Sequence, residues 1–181
     1  MPESPPDTIL IVDDDPLFLA LLRSHMKAFR LPFAEATDGQ DALDKLRQER
    51  FSLIISDINM PRLNGMELLR EVRSQYPETG VILITGYSDL YSHDQVIQAG
   101  AIDFLAKPFF RDDLEAKIHR ALREQRLIRE MNDLIKALEG QLAEQNATIQ
   151  EVRAQLQAAA EKVKELQARA VLTTYGPHRR R

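Results

Sequence analysis

The sequence contains no cysteine, and the first residues lack the basic and apolar regions of a signal peptide. Without cysteine, neither a disulfide framework nor a thiolate metal site can form, which fits a reducing compartment. No apolar run approaches the roughly 18 residues that a membrane-spanning helix needs. A net charge of −4 argues against a broad nucleic-acid-binding surface. We therefore expect a cytoplasmic protein with neither membrane nor nucleic acid as a partner.

Short apolar runs alternate with helical patterns along most of the chain. The 181 residues suffice for one domain and an appendage. The predicted strands cover residues 8–12, 32–36, 51–56, 81–84 and 101–106. Several of them are apolar on both faces, as expected for a parallel sheet with helices on each side. The sequence therefore predicts a doubly wound α/β domain with a five-stranded parallel sheet.

Helix signals fill the segments between these runs. Pro16 suits the first turn of a helix, where its missing N–H is not needed. Asp15 and Asp38 are predicted N-caps, because a carboxylate accepts the free N–H groups of a first turn. From the helical spacing, the first helix is predicted to bury Leu17, Leu21, Leu22 and Phe29.

Polar side chains follow four of the five predicted strands. They are Asp13, Asp14, Asp57, Thr85 and Lys107. In a doubly wound sheet, ligands bind beyond the carboxyl ends of the strands, so we expect these side chains to converge. Three carboxylates close together raise one another's pKa, and a hard divalent cation relieves that repulsion. All-oxygen ligands favour Mg²⁺ or Mn²⁺ over Zn²⁺.

This set of groups suits the transfer of a phosphoryl group to Asp57. The carboxylate of Asp57 would attack phosphorus in line, while the metal ion and Lys107 stabilise the equatorial oxygens. Thr85 supplies a hydroxyl donor to the same place.

Four motifs resemble the receiver domain of two-component response regulators, in the order that this family has them. They are Val12-Asp13-Asp14, Asp57-Ile58-Asn59-Met60-Pro61, Thr85-Gly86 and Phe104-Leu105-Ala106-Lys107-Pro108. Each motif alone is weak, but together, at successive strand ends, they are highly specific. The resemblance covers residues 8–123 and implies a flavodoxin-like sheet of order 2-1-3-4-5.

The resemblance also implies roles for individual residues. Asp57 would accept a phosphoryl group from a histidine kinase or phosphotransfer protein. Asp14 and Asp57 would bind Mg²⁺ directly, Asp13 largely through water, and Asn59 through its backbone carbonyl. The protein would be a phosphoacceptor that catalyses its own phosphoryl transfer and slow dephosphorylation, not an enzyme acting on a separate substrate.

Four further residues receive roles from the same resemblance. Thr85 would move toward the phosphoryl oxygens, Lys107 would bind them, and Phe104 would turn inward as the coupled aromatic. Asn59 and Tyr87 occupy positions that influence phosphoryl lifetime, and we predict that Tyr87 limits the access of water.

A haloacid-dehalogenase-like phosphatase is a weaker alternative. Asp13 and Asp15 also fit the Asp-x-Asp nucleophile motif of those enzymes, which likewise use a threonine and a lysine. Those enzymes need further acids after the lysine to hold Mg²⁺, and the sequence after Lys107 leaves no room for them.

The sequence after residue 123 has the heptad repeat of a coiled coil. Six heptads continue in phase across Gly140, which lies at an outer f position, so one uninterrupted helix is predicted. We assign residues 1–7 to a disordered tail, 124–173 to the coiled coil and 174–181 to a basic disordered tail. The a positions are Ile128, Ile135, Leu142, Ile149, Leu156 and Val163, and the d positions are Met131, Leu138, Gln145, Val152, Ala159 and Leu166.

The predicted partner of this helix is a second copy, because a lone helix would leave its apolar stripe in water. We favour a parallel dimer in which Gln145 fixes the register. Leu127 and Leu134 at g positions widen the stripe and leave a higher oligomer open. Output is expected through contact with a downstream protein whose identity the sequence does not give. In the alternative, the coiled coil is a scaffold and the receiver a passive cap.

Overall fold

The computed structural model describes residues 7–86 and 93–174. Five strands and five helices alternate along the chain. They are β1 (Ile9–Val12), α1 (Pro16–Phe29), β2 (Phe33–Ala36), α2 (Gly39–Leu46), β3 (Leu53–Asp57), α3 (Gly65–Gln75), β4 (Gly80–Thr85), α4 (His93–Gln98), β5 (Asp103–Ala106) and α5 (Arg111–Thr174).

The strands form one parallel sheet with the order β2-β1-β3-β4-β5, as the resemblance implied. Every residue of β1, β3 and β4 is buried, because helices cover both faces of the sheet. Alternate residues of each strand therefore enter different cores: Leu10 and Ile54 pack on one face, whereas Ile9 and Leu53 pack on the other.

The predicted buried face of α1 is wrong in part. Leu22 is buried, but Leu17 is 80% exposed and Leu21 is 44% exposed. The helix instead buries Leu19, Leu22 and Met26 against the sheet. Leucines are so frequent in this segment that two stripes share the helical spacing, and only the placement of α1 on the sheet selects between them.

Side-chain caps fix where the helices begin. Asp15 accepts from the Leu17 N–H at 2.8 Å, and Asp38 caps α2, so both predicted N-caps are confirmed. At α3, the Asn64 side chain accepts from the Glu67 N–H, and the Glu67 carboxylate accepts from the Asn64 N–H. This reciprocal capping box starts α3 shortly after Asp57.

The chain divides into two compact units, Met1–Glu130 and Met131–Arg181, and α5 contributes to both. In the first unit, α5 buries Leu114, Ile118, Ala121 and Leu122. In the second, α5 continues through Gly140 to Thr174, and the side chains described there are exposed except that of Asn132, which is half-buried. No helix in the described ranges combines the length and apolar character needed to cross a bilayer.

Candidate functional site

The register of the sheet brings the polar strand ends together. Val12 lies opposite Ser56, so Asp13 and Asp57 follow at the same level of neighbouring strands. Thr85 lies opposite Ala106, which places Lys107 just beyond the end of β4. Lys107 is held there by its own backbone N–H, which donates to the Thr85 carbonyl at 2.7 Å.

Asp57 is buried at the end of β3, and each of its carboxylate oxygens has a donor. Oδ1 lies 2.7 Å from Lys107 Nζ. Oδ2 accepts from the backbone N–H of Asn59 at 2.7 Å. Only 7% of the residue is exposed, and these two contacts offset the cost of burying its charge.

Asp13 shares the same lysine. Its Oδ2 lies 3.0 Å from Lys107 Nζ, and its Oδ1 accepts from the Asp15 backbone N–H at 2.9 Å. Burial raises the pKa of Asp13 above the ordinary aspartate value, and the negative charge of Asp57 raises it further. The Asp15 N–H and Lys107 oppose this rise without cancelling it. The ionised pair therefore gains from any additional positive charge.

Lys107 is positioned by aromatic rings that the sequence analysis missed. Its Nζ lies 3.5 Å from the centroid of the Phe18 ring, a cation–π contact. Phe18 in turn packs edge to face against Phe109, with 6.0 Å between ring centroids. The nearest signal in the sequence is the aromatic that follows Lys107-Pro108. Phe18 carries no signal beyond its place in an apolar helix.

The remaining predicted site residues occupy different environments. Asp14 is exposed, whereas Thr85 is buried at the end of β4. Phe104 is half-buried and packs against the core cluster that includes Val96 and Ala101. Tyr87 lies outside the described residues.

The loop after Asp57 is compact and needs a glycine at its end. The Gly65 N–H donates to the Ile58 carbonyl at 2.9 Å, closing the loop. A Cβ built on Gly65 would lie 2.2 Å from the backbone oxygen of Asp57. Real Cβ atoms do not approach backbone oxygens so closely, so only glycine allows α3 to start this near the strand end.

A second contact that the sequence analysis missed ties the same loop to the start of α2. Arg62 forms an ion pair with the buried carboxylate of Asp38, and the Gly39 N–H donates to the Leu63 carbonyl at 3.1 Å. Arg62 adopts a positive φ of 65°, which is uncommon for a residue with a side chain. Asp38 was predicted only as an N-cap; here it also holds the loop that follows Asp57.

The donors around Asp57 fit a hard divalent cation. Lys107 supplies one positive charge to the carboxylates of Asp13 and Asp57, which leaves a net negative charge. The ligand atoms on offer are oxygens, which Mg²⁺ prefers, and each carboxylate retains acceptor capacity. Within the described ranges, no three histidine, cysteine or acidic side chains are gathered as a ready-made metal cluster. Mg²⁺ usually keeps several water ligands and is held by one or two carboxylates, which Asp13 and Asp57 can supply.

The response regulator receiver domain pattern matches residues 9–119. The chain is 36% identical over 154 residues to the C4-dicarboxylate transport transcriptional regulatory protein DctD of Pseudomonas aeruginosa, covering 82% of this chain and 33% of that protein. It is 32% identical over 114 residues to the transcriptional regulatory protein ZraR of Escherichia coli, covering 63% of this chain and 26% of that protein. The chain thus spans about a third or less of these relatives' length.

Solved structures give the same picture. A CheY-like receiver domain protein of Methanospirillum hungatei matches with a TM-score of 0.63 and 32% identity, covering 66% of this chain and 96% of that one. The receiver domain of a sensor histidine kinase of Pseudomonas aeruginosa matches with a TM-score of 0.59 and 27% identity, covering 65% of this chain and 98% of that one. The second structure is described with a magnesium ion coordinated in its active-site cleft.

Proposed function

The chain belongs to the response regulator receiver domain family, and from this premise we propose that Asp57 accepts a phosphoryl group from a histidine kinase or phosphotransfer protein. The observation that carries the proposal is the shared contact of Lys107 Nζ, 2.7 Å from Asp57 and 3.0 Å from Asp13. Burying two carboxylates against one ammonium costs more desolvation free energy than the ion pairs return, so the cluster does not serve the stability of the fold. They suit a site that receives a transferring anion and its metal.

Asp14, Asp57 and the Asn59 carbonyl would hold Mg²⁺, with Asp13 acting through water. When bound, the ion would neutralise charge on the transferring phosphoryl group. The exposure of Asp14 is compatible with this role, because a ligand must be reachable from solvent to take up a cation.

The transfer itself uses groups of this chain. One oxygen of Asp57 forms a bond to phosphorus while the bond from phosphorus to the donor histidine nitrogen breaks, and that nitrogen keeps the electron pair. Lys107 pairs with Asp57 before transfer and with a phosphoryl oxygen after it. Burial of Asp57 excludes water from the acyl phosphate and slows its hydrolysis.

The signal leaves the site through Thr85 and Phe104. Thr85 donates its hydroxyl to the phosphoryl group, and half-buried Phe104 fills the space that this movement opens. Both residues lie on the strands next to α4 and α5, so the change repacks that face of the domain.

Output then passes to a protein partner through a dimer of α5. Because the match covers only 33% and 26% of the curated relatives' own length, the output of the whole protein belongs to this proposal.

An exposed apolar stripe supports the dimer. Its residues are between 45% and 65% exposed in a single chain. A helix leaves such a stripe in water only at a cost, and a second copy with the same heptads covers it. The stripe consists of Met131, Leu134, Ile135, Leu138, Leu142, Ile149, Val152, Leu156, Val163 and Leu166.

The same stripe supports the second candidate, a scaffold whose receiver is a passive cap. Pull-downs with the wild type and with Asp57→Asn, each with phosphodonor, separate the two functions. Different partner sets favour the signalling function, and identical sets favour the scaffold.

The phosphoacceptor is tested with the full chain, a small phosphodonor and Mg²⁺, followed by intact-mass spectrometry. We expect one phosphoryl group on the wild type, none on Asp57→Asn and none when Mg²⁺ is chelated. Asp44→Asn, which removes an exposed carboxylate from α2, is the matched control and should be phosphorylated like the wild type. Phosphorylation of Asp57→Asn at the wild-type rate would overturn the assignment.

A further inference from the structure

A polar cluster lies at the amino-terminal ends of the central strands β1 and β3, opposite to the strand ends that carry Asp57. Asp7 precedes β1 and Ser52 precedes β3, and the Ser52 N–H donates to the Thr8 carbonyl at 2.9 Å. Two arginines from α5, Arg126 and Arg129, meet these residues. None of these side chains takes part in the phosphoryl chemistry proposed above.

One carboxylate holds both arginines. Asp7 Oδ2 accepts from Arg126 Nη2, and Asp7 Oδ1 accepts from Arg129 Nη2 at 2.6 Å. The same guanidinium reaches the sheet directly, because Arg129 Nη1 donates to Ser52 Oγ at 2.6 Å. Burial alone would raise the pKa of Asp7, but the hydrogen bonds and charges of Arg126 and Arg129 hold it below its ordinary value. Asp7 therefore links two successive turns of α5 to the start of β1.

The Asp7–Arg129 contact is more deeply buried than a surface ion pair, whereas the side chain of Arg126 is 57% exposed. The side chain of Arg129 is only 18% exposed, and Gln125, one turn earlier, is buried. Among the described residues, Gln125 Oε1 and Arg129 Nε are buried side-chain atoms without a hydrogen-bond partner. Such atoms cost stability, so an apolar face would attach α5 more strongly. The polar groups instead fix a single position of the helix at the amino-terminal ends of β1 and β3, because a shifted helix would separate the charges.

We propose that Asp7, Ser52, Arg126 and Arg129 form an ionic clasp. It fastens residues 124–130 of α5 to the amino-terminal ends of β1 and β3. Leu122 is the last apolar residue of the described α5 in the buried core, yet the first compact unit extends to Glu130. The clasp accounts for the stretch between them. The clasp does not depend on phosphorylation of Asp57.

Hydrogen exchange of the full chain tests the clasp. Removing the shared carboxylate in Asp7→Ala breaks two charge-assisted hydrogen bonds, so the backbone amides of residues 124–130 should exchange about tenfold faster or more. The amides of β1 and β3 should keep their protection, which shows that the domain remains folded. Exchange in residues 145–165 serves as the internal reference and should not change.

Arg123, one turn before Arg126 on α5, supplies the matched control. Arg126→Ala removes one arm of the clasp and should accelerate exchange of residues 124–130, whereas Arg123→Ala removes an exposed arginine and should not. The double variant Asp7→Ala/Arg126→Ala should exchange no faster than Asp7→Ala, because the two residues act through one contact. Wild-type exchange in Asp7→Ala, or equal acceleration by Arg123→Ala and Arg126→Ala, would overturn the proposal.

Discussion

At the scale of single residues, Lys107 decides the electrostatics of the site. It is the cation that both buried carboxylates contact, and the Phe18 ring limits where its ammonium can lie. Removing it would leave Asp13 and Asp57 facing each other with only backbone N–H donors. In a buried setting, breaking a pair by deleting one partner costs more than the pair itself contributed.

We expect Lys107→Met to lower the free energy of unfolding by about 2 kcal/mol in the absence of divalent cations. Mg²⁺ should then stabilise the variant more than the wild type, because the ion supplies the charge that the lysine no longer provides. Urea denaturation with and without Mg²⁺ measures both effects. Lys45→Met, which breaks a surface pair with Asp41, is the control and should change stability by less than about 1 kcal/mol. A Lys107→Met variant with wild-type stability and no response to Mg²⁺ would contradict this view of the site.

Of the five polar residues predicted to converge, Asp13, Asp57 and Lys107 are in contact, but the sequence did not predict what holds them. Asp13, Asp57 and Lys107 follow strand ends, and in a parallel sheet such positions meet whatever the details of packing. Phe18 and Arg62 contribute equally specific contacts, but one lies on a helix and the other in a loop. Their partners are set by tertiary placement, for which the local pattern has no signal.

At the scale of elements, two glycines in helices have opposite meanings. Gly65 opens α3 against the backbone of Asp57, where a Cβ would collide with atoms that cannot move away. Gly140 lies in the middle of α5, where a Cβ would meet nothing within 4 Å. One glycine is required by a close approach, and the other only weakens its helix.

Alanine at the two positions should therefore act in opposite directions. Gly65→Ala should destabilise the first unit by about 2 kcal/mol or more and slow phosphorylation of Asp57, because the strand end must shift. Gly140→Ala should stabilise the helix by up to about 1 kcal/mol. Thermal unfolding and the rate of phosphorylation by a small phosphodonor measure these effects. A destabilising Gly140→Ala would argue for a turn or a close contact at that position, against the uninterrupted helix.

Helix α1 shows what the spacing of apolar residues can and cannot predict about a single element. The pattern identified a helix and its N-cap, since these depend on neighbouring residues alone. It misassigned Leu17 and Leu21 to the buried face, because a segment this rich in leucine offers two stripes. Predicted burial was more accurate for the strands, because β1, β3 and β4 are buried on both faces and no choice of face arises.

At the scale of the whole molecule, the proposed output depends on how two copies of α5 would pair. Gln145 is the informative residue, because it is the polar d position of an otherwise apolar core. In a parallel pair, the two Gln145 side chains lie opposite each other and can exchange amide hydrogen bonds. In a fully overlapping antiparallel pair, Gln145 would lie against Ile149 of the other copy, where its amide has no partner. This difference favours the parallel dimer.

Because the chain has no cysteine, one introduced cysteine reports on orientation without background. Val152→Cys occupies a d position, so a parallel dimer brings its two copies within the Cα separation of about 6 Å that a disulfide spans. We expect rapid cross-linking under mild oxidation on non-reducing gels, and none for Ala154→Cys at an outer f position. If Val152→Cys cross-links only when mixed with Leu142→Cys, the dimer is antiparallel and the two receivers cannot be neighbours. If no pairing cross-links, α5 does not dimerise through this stripe, and the proposed route from Asp57 to a partner fails at the coil rather than at the phosphoacceptor.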